Sequence, residues 1–404
     1  MMWRARCLCC CRWCGGGGGG GSTLARRWLA SAGIFSLVLL VLSTTTITLS
    51  SAHAQQHEPT QEQLRSMRIA VTTVAMPPLD TPRDTLATTR EQPPQAQPSS
   101  SSHSNNSSSN RNNNDDDAAV LKYAWPACVL FQSFHRNTNF HNVDYLLITR
   151  NPGPQTLALA AACNITIRHR RPAIPLEAVQ DPEYKRLVQP GGQYAGIGLM
   201  DFDFLWPWSF EEYDRVLILD VDMLVMNNID HLFVLPSHLL FTNGMFSSVN
   251  GGFQLIQPSM SIFKQMQALI TAPRAFRPET GWYRTGLQHG RTHGAATLQG
   301  FLTYFVRHVF RDKAQELPRA LYNCQFDAEI EALALLCDHI YLAHFTACPK
   351  PMQVSASTFI QQATAHTHHL CACAFFYYKT FQIHLIRTLL PDDLAALLRN
   401  TIPR

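Results

Sequence analysis

The chain has 404 residues, a formal net charge of +4 and 12 cysteines. This length is enough for two average domains. A net charge this small identifies no charged partner, and the sequence has no basic stripe interleaved with aromatic residues. The composition therefore argues against a nucleic-acid-binding protein, and no nucleic-acid partner is expected.

The first 49 residues have the composition of a membrane-targeting element. Residues 1–27 form a short tail rich in arginine, cysteine and glycine, and residues 28–49 are uncharged and mostly apolar. About 20 such residues can span a bilayer, and the preceding arginines stay on the cytoplasmic side. This order predicts a type II signal anchor, with the rest of the chain in the lumen of the Golgi or another secretory compartment. The alternative is a cleaved signal peptide and a secreted protein, because Ala52-His53-Ala54 is a small-residue cleavage site.

The cysteines fall into two groups. Five lie in the tail, where their position beside an apolar segment makes them candidates for S-acylation. A zinc site there is less favoured, since no histidine or second spaced pair accompanies them. The other seven are scattered through the rest of the chain. A luminal disulfide among them is compatible with the sequence, but no pairing is assigned.

Residues 50–117 are polar and repetitive, with a serine and asparagine tract at 99–114 followed by three aspartates. Such a segment buries too little apolar surface to fold, so we predict a disordered stem. A globular domain is predicted at 118–352, and residues 353–404 form a C-terminal extension.

The globular domain alternates apolar strands with helical stretches. Helical spacing is found at 125–134, and an apolar strand is predicted at 143–149. The further predicted elements are a helix at 158–163, extended segments at 165–167, 216–219, 239–241 and 252–256, and helices at 259–270 and 298–309. This alternation predicts a mostly parallel α/β sheet.

Asp220 and Asp222 follow directly after the apolar run 216–219. Residues at i and i+2 of a strand point to the same face, so the two carboxylates converge on one spot. Ligands bind at the carboxyl ends of strands in an open α/β sheet, and two carboxylates there indicate a divalent cation. The alternative is a strand followed by two solvated turn residues, with Asn227-Asn228 as the turn.

Four blocks of sequence follow one another in a set order. They are YDRVLILDVDMLV at 213–225 with its continuation NIDHLF at 228–233, NGGFQLIQPS at 250–259, LQGFL at 298–302 and HFTACPKP at 344–351. In order and spacing they resemble four motifs of the family 8 glycosyltransferases, the group that includes glycogenin. Those motifs are the D-x-D strand, the asparagine-glycine strand, the D-Q-x-x-L segment and the closing H-F-x-x-x-x-K-P-W motif.

This resemblance covers roughly residues 118–352. It implies a Rossmann-like, GT-A-like fold of the nucleotide-diphospho-sugar transferase type. It also implies metal-dependent, retaining transfer of a hexose from a UDP-sugar to an acceptor hydroxyl on a glycan or protein. Asp220, Asp222 and His344 are then the metal ligands. Two carboxylates and an imidazole suit Mn²⁺, with Mg²⁺ as the alternative.

The resemblance also assigns residues to the donor. Lys350 would place a second positive charge on the diphosphate, and Asn250 and Gln299 are the candidate catalytic residues. The full set of predicted donor-binding residues is Asp220, Asn250, Gly251, Gly252, Gln299 and Lys350. Several of the predicted site residues, considered alone, also have an ordinary structural interpretation. His344 could be a core histidine, Lys350 a surface lysine, residues 250–252 a hairpin turn, and Gln299 a helix cap.

The chain departs from the family pattern at several positions. Leu298 stands where the family usually has an aspartate near the reacting sugar, Phe204 where a lysine is expected, and Met352 where the closing tryptophan is expected. The first nucleotide-binding strand is poorly formed around 120–123. These departures leave a second hypothesis open: a catalytically inactive, sugar-nucleotide-binding partner subunit.

Overall fold

The computed structural model describes residues 60–75, 113–194, 198–286, 294–331, 333, 335–362 and 369–401. The predicted tail at 1–27 and the predicted anchor or signal segment at 28–49 lie outside these residues. In the described part of the chain, no helix combines the length and the apolar character needed to cross a membrane.

The strands of the described residues form one large sheet and two small two-stranded sheets. In chain order they are β1 Ile69–Val74, β2 Val143–Thr149, β3 Thr166–His169, β4 Arg215–Leu219, β5 Met223–Val225, β6 Leu239–Phe241, β7 Phe253–Ile256, β8 Phe276–Arg277, β9 Gly281–Trp282, β10 Ala314–Glu316 and β11 Leu342–His344. The large sheet has the order β10-β6-β7-β4-β1-β2-β3. Only β7 runs antiparallel to its neighbours in that sheet. The predicted mostly parallel α/β sheet is confirmed.

Helices cover both faces of the large sheet. In chain order the α-helices of the described residues are α1 Gln61–Ser66, α2 Asn113–Asn137, α3 Pro154–Ala162, α4 Pro182–Val188, α5 Met260–Thr271, α6 Leu298–Tyr304, α7 Arg319–Tyr322, α8 Ala328–Glu331, α9 Ala356–Gln362, α10 His369–Thr388 and α11 Asp392–Thr401. A 3₁₀ segment, Gly198–Ser209, precedes β4, and a π-helical turn, Phe305–Val309, continues α6.

The order β3-β2-β1-β4 is Rossmann-like. The chain moves outward from β1 to β2 and β3, and β4 then pairs with β1 on the opposite side. The direction of winding therefore changes between β1 and β4. Ligands of open α/β sheets bind at this switch point, outside the carboxyl ends of the strands. The predicted Rossmann-like fold is confirmed, and the topology fixes where a site is expected.

The first strand lies earlier in the chain than the sequence indicated. The predicted disordered stem at 50–117 is wrong for Ile69–Val74, which is buried throughout and lies between β2 and β4. Its β-branched and apolar residues suit a strand that is covered on both faces. Residues 120–123, where the sequence indicated a poorly formed first strand, belong to α2. The folded unit therefore begins upstream of residue 118.

β4 is apolar from Val216 to Leu219 because both faces of the sheet are covered. Leu217 and Leu219 belong to the hydrophobic cluster that contains residues of α2 and α10. Val216 and Ile218 belong to a second cluster, with residues of Gly198–Ser209 and α5. A strand buried on both faces reads as a continuous apolar run, which is why the prediction at 216–219 holds.

Disulfides attach the C-terminal extension to the rest of the fold. In the described residues the bonded pairs are Cys128–Cys163, Cys337–Cys373 and Cys348–Cys371. The last two join α10 to the segments on either side of β11. The described residues of the extension, 353–362 and 369–401, thus belong to the same compact unit as the rest of the described chain.

Candidate active site

The Asp220–Asp222 segment forms the tight turn between β4 and β5, at the switch point of the sheet. The amide of Asp220 donates to the carbonyl of Gly252 at 3.0 Å, and the amide of Met223 donates to the carbonyl of Asp220 at 3.1 Å. A turn was one of the two structures that the sequence allowed for this segment. The two side chains differ in solvent exposure: Asp222 is only 8% exposed, whereas the side chain of Asp220 is 33% exposed.

Strand pairing brings His344 to this turn. β11 runs antiparallel to β5, with His344 opposite Met223, and the amide of Phe345 donates to the carbonyl of Asp222 at 3.0 Å. His344 Nε2 lies 3.3 Å from Asp222 Oδ1 and 3.6 Å from Asp220 Oδ2. Possible ligand atoms of the three side chains all lie within 4.8 Å of one another. The three predicted metal ligands are therefore together.

Lys350 completes a group of four charged side chains. Its ammonium pairs directly with the Asp222 carboxylate. Two carboxylates thus face one ammonium and one imidazole, which offsets the cost of burying negative charge. Lys350 is therefore an ion-pair partner of the site, with a side chain that is still 41% exposed.

The environment of the site shifts the pKa values of its two carboxylates in opposite directions. Burial and the nearby Asp222 charge raise the pKa of Asp220 to about 6. Burial would also raise the pKa of Asp222, but His344 and Lys350 hold it well below its usual range. Burial would lower the pKa of His344, yet the Asp222 carboxylate raises it above its ordinary value. Ionised groups of opposite sign therefore share one small volume.

Gly252 leaves the space in which these side chains meet. A Cβ at this position would lie 2.9 Å from His344 Cε1 and would collide with the Asp220 carboxylate. No side chain larger than hydrogen fits there without moving them. Hard oxygen ligands and an imidazole in this space fit a divalent cation.

Asn250 and Gly251 lie beside the cluster, in the loop that enters β7. Asn250 Oδ1 accepts from the amide of Gly252 at 3.0 Å, so its side chain shapes this loop. The loop is not a two-residue hairpin, because residues 242–252 separate β6 from β7. A Cβ on Gly251 would be 3.4 Å from Leu298 Cδ2, which is ordinary contact. Gly251 therefore faces α6.

Gln299 lies in the first turn of α6, whose start is capped by another residue. Asp201 Oδ2 accepts from the amide of Leu298 at 2.9 Å, so the alternative of Gln299 as the cap is wrong. Leu298 itself is 2% exposed and packs in the core. Asp201 also contributes to the raised pKa of Asp220, which places its charge in the neighbourhood of the cluster. A carboxylate is thus present near position 298 although the residue at 298 is apolar.

The other two departures from the family pattern are also packed. Phe204 is buried in the second cluster, and Met352 packs against the first. Near Phe204, the Asp203 carboxylate pairs with Arg150 at 2.7 Å and accepts from the amide of Ala173 at 2.9 Å. The Asp203 contacts fix the 3₁₀ segment, and the second cluster surrounds Phe204 with apolar side chains, so Phe204 has a packing role.

Curated plant proteins share local sequence with the chain. It is 38% identical over 100 residues to the "Putative glucuronosyltransferase PGSIP7" of Arabidopsis thaliana, which is 23% of this chain and 18% of the relative. It is 35% identical over 81 residues to the "Putative UDP-glucuronate:xylan alpha-glucuronosyltransferase 3" of the same plant, 20% of this chain and 13% of the relative. The predicted resemblance to family 8 glycosyltransferases is confirmed. The matched segments span less than a fifth of these two relatives, and no protein-family model matches the chain.

Solved glycosyltransferases are similar to the chain at low identity. The galactosyltransferase LgtC, in complex with donor and acceptor sugar analogs, is 12% identical with a TM-score of 0.42, over 83% of this chain and 100% of that chain. The glycosyltransferase GlyE of Streptococcus pneumoniae TIGR4 is 14% identical with a TM-score of 0.42, over 79% of this chain and 62% of that chain.

Two residues near the site carry no signal in the sequence. Asn323 hydrogen-bonds to both His344 and Asn250, but it is a single asparagine after a short helix. Asp201 lies in an aromatic segment that also contains Asp203, and the sequence gives no reason to prefer Asp201 to Asp203. Only the fold shows which neighbours these side chains have.

Proposed function

We propose that the chain is a metal-dependent, retaining glycosyltransferase that moves a hexose from a UDP-sugar to an acceptor hydroxyl on a glycan or protein. The observation that carries this proposal is the meeting of Asp220, Asp222, His344 and Lys350 at the switch point of a Rossmann-like sheet. The local likeness to proteins named glucuronosyltransferases supports the same reaction class.

Three residues of the site are proposed to bind the cation, and a fourth is proposed to bind the donor diphosphate. Asp220, Asp222 and His344 would hold Mn²⁺ or Mg²⁺, which when bound acts as a Lewis acid on the diphosphate leaving group. Lys350 can move from Asp222 to the diphosphate, because a bound cation would supply the charge that Asp222 now receives from the ammonium. Gly252 keeps the space open.

Retention of configuration is proposed with direct attack by the acceptor on the donor face. Double displacement needs a carboxylate nucleophile at the sugar, and the residue at 298 is a buried leucine. Asp201 is engaged by the Leu298 amide, which suits orienting a sugar hydroxyl better than attacking a carbon. Asn250 and Gln299 are proposed to contact the donor sugar from the two segments that flank Gly251.

The compartment is proposed to be the secretory lumen, with a type II anchor or a cleaved signal peptide upstream. Disulfides persist in oxidising compartments, and three are present in the described residues. The proposed partners are a UDP-sugar, a glycan or protein acceptor, and the membrane through the N-terminal segment.

A second candidate function is an inactive subunit that binds a sugar nucleotide. Leu298 favours it, since an apolar, buried side chain stands where the family usually has an acid. UDP release from a panel of UDP-sugars, including UDP-glucuronate, separates the two. Turnover that requires Mn²⁺ supports the transferase, whereas Mn²⁺-dependent UDP binding without turnover of any donor supports the inactive subunit. No binding of UDP or Mn²⁺ refutes both.

A further inference from the structure

We infer that Asn323 is a positioning residue that fixes the imidazole of His344 and connects it to the loop carrying Asn250. This inference rests on the proposed metal site. Asn323 is fully buried, at 0% exposed. Its Oδ1 lies 2.8 Å from His344 Nδ1, and its Nδ2 lies 2.7 Å from Thr242 Oγ1 and 3.1 Å from Asn250 Oδ1.

The backbone holds Asn323 at this place independently of its side chain. Cys324 forms a parallel bridge with Ala343, and the amide of His344 donates to the carbonyl of Cys324 at 2.9 Å. The amide of Cys324 donates to the carbonyl of Leu342 at 3.0 Å. Cys324, the residue after Asn323, is therefore tied to β11, and this pairing holds Asn323 beside the imidazole.

The orientation of the Asn323 amide follows from its neighbours. Asn250 Oδ1 accepts the amide of Gly252, so that atom is an oxygen. The Asn323 atom facing it must then be the NH₂ group, because two oxygens do not hydrogen-bond to each other. Asn323 Oδ1 is left facing His344 Nδ1, which must therefore donate.

This assignment decides which histidine nitrogen serves the cluster. With Nδ1 donating to Asn323, Nε2 is the nitrogen directed at the Asp220 and Asp222 carboxylates. A partner on the second ring nitrogen fixes the ring orientation and tautomer of a metal-binding histidine. Losing such a partner typically weakens metal affinity by about 10- to 100-fold.

The competing hypothesis is that Asn323 only satisfies buried polar groups of the fold. Thr242 provides the matched control, because it is equally buried and shares a hydrogen bond with Asn323. Thr242→Val removes that bond without removing the acceptor of His344. Asn323→Leu removes both the hydrogen bond to Thr242 and the acceptor of His344, whereas Asn323→Asp keeps an acceptor at the imidazole.

The experiment measures Mn²⁺ binding by the full-length chain through electron paramagnetic resonance, with thermal unfolding as the folding control. We expect Asn323→Leu to bind Mn²⁺ about 10- to 100-fold more weakly than the parent, Thr242→Val to stay within about threefold, and Asn323→Asp to recover most of the loss. Histidine side-chain ¹⁵N spectra of the Mg²⁺-loaded chain, assigned with His344→Gln, should show Nδ1 protonated in the parent.

Distinct results separate the possible failures. Equal Mn²⁺ affinity for the parent and Asn323→Leu overturns this inference and leaves the metal site standing. Absence of Mn²⁺ binding by the parent overturns the proposed function itself. Should Asn323→Leu not fold, the ¹⁵N spectra of the parent decide the matter: a proton on His344 Nδ1 supports the inference, and a proton on Nε2 with Nδ1 bare refutes it.

Discussion

Substitution of Gly252 by alanine should abolish tight metal binding, although no ligand is removed. The added Cβ would lie 2.9 Å from His344 Cε1 and 2.9 Å from Asp220 Cγ. Carbon atoms pack at about 3.5 Å or more, so both side chains must withdraw by roughly 0.6 Å. Metal–ligand distances tolerate only about 0.2 Å. We therefore expect Mn²⁺ affinity to fall at least about 100-fold, equivalent to roughly 2.8 kcal/mol.

Gly251→Ala is the matched control for this substitution. Its added Cβ would make an ordinary 3.4 Å contact with Leu298 Cδ2 and meets no ligand. Titration of Mn²⁺ into both variants, followed by calorimetry, compares the same chemical change at adjacent positions. The reasoning fails if Gly252→Ala binds Mn²⁺ as tightly as Gly251→Ala while both remain folded.

The pKa shifts, the disulfides and the exposed surface lead to three further predictions. Mn²⁺ affinity should fall as the pH is lowered through neutrality, because protons compete with the cation at His344, whose pKa is raised above its ordinary value, and at Asp220, whose pKa is raised to about 6. Isothermal titration across pH 5–8 checks this, and a flat profile contradicts it. Cys371→Ser breaks the disulfide to Cys348 and should cost about 3 kcal/mol of unfolding free energy. It should also weaken UDP binding, because Cys348 lies between His344 and Lys350. Cys163→Ser should destabilise the fold without weakening UDP binding, and equal UDP binding by both variants contradicts this prediction. Asn164 is exposed in the sequon Asn164-Ile165-Thr166, so chain made in secretory cells should lose mass with a glycosidase and Asn164→Gln should not, whereas an unglycosylated parent contradicts the luminal assignment.

The sequence predicted the parts of the fold whose signals are local. The run 216–219 was predicted as a strand because burial on both faces leaves no polar positions. Motif order predicted the group Asp220, Asp222, His344 and Lys350, and the register of β5 with β11 explains why these residues meet. That register cannot be deduced from the spacing of the motifs along the chain.

One strand of the fold and one residue near the site depended on tertiary context. Ile69–Val74 has a strand composition, but the polar residues around it favoured a disordered segment, and only the sheet supplies its partners. Asn323 is recognisable only once a buried imidazole and Asn250 Oδ1 are placed on either side of it. Side-chain amides in loops are common, and their role is set by what surrounds them.

The most direct test of the proposed function is Mn²⁺-restored turnover of a UDP-sugar. The full-length chain is stripped of metal with a chelator, and UDP release from the donor panel is followed before and after Mn²⁺ is added back, with Asp222→Ala in parallel. We predict turnover only after Mn²⁺ addition, and a loss of at least about 100-fold in the variant, the rate equivalent of a Lewis acid worth several kcal/mol. Turnover that survives metal removal, or that is unchanged in Asp222→Ala, would contradict the account.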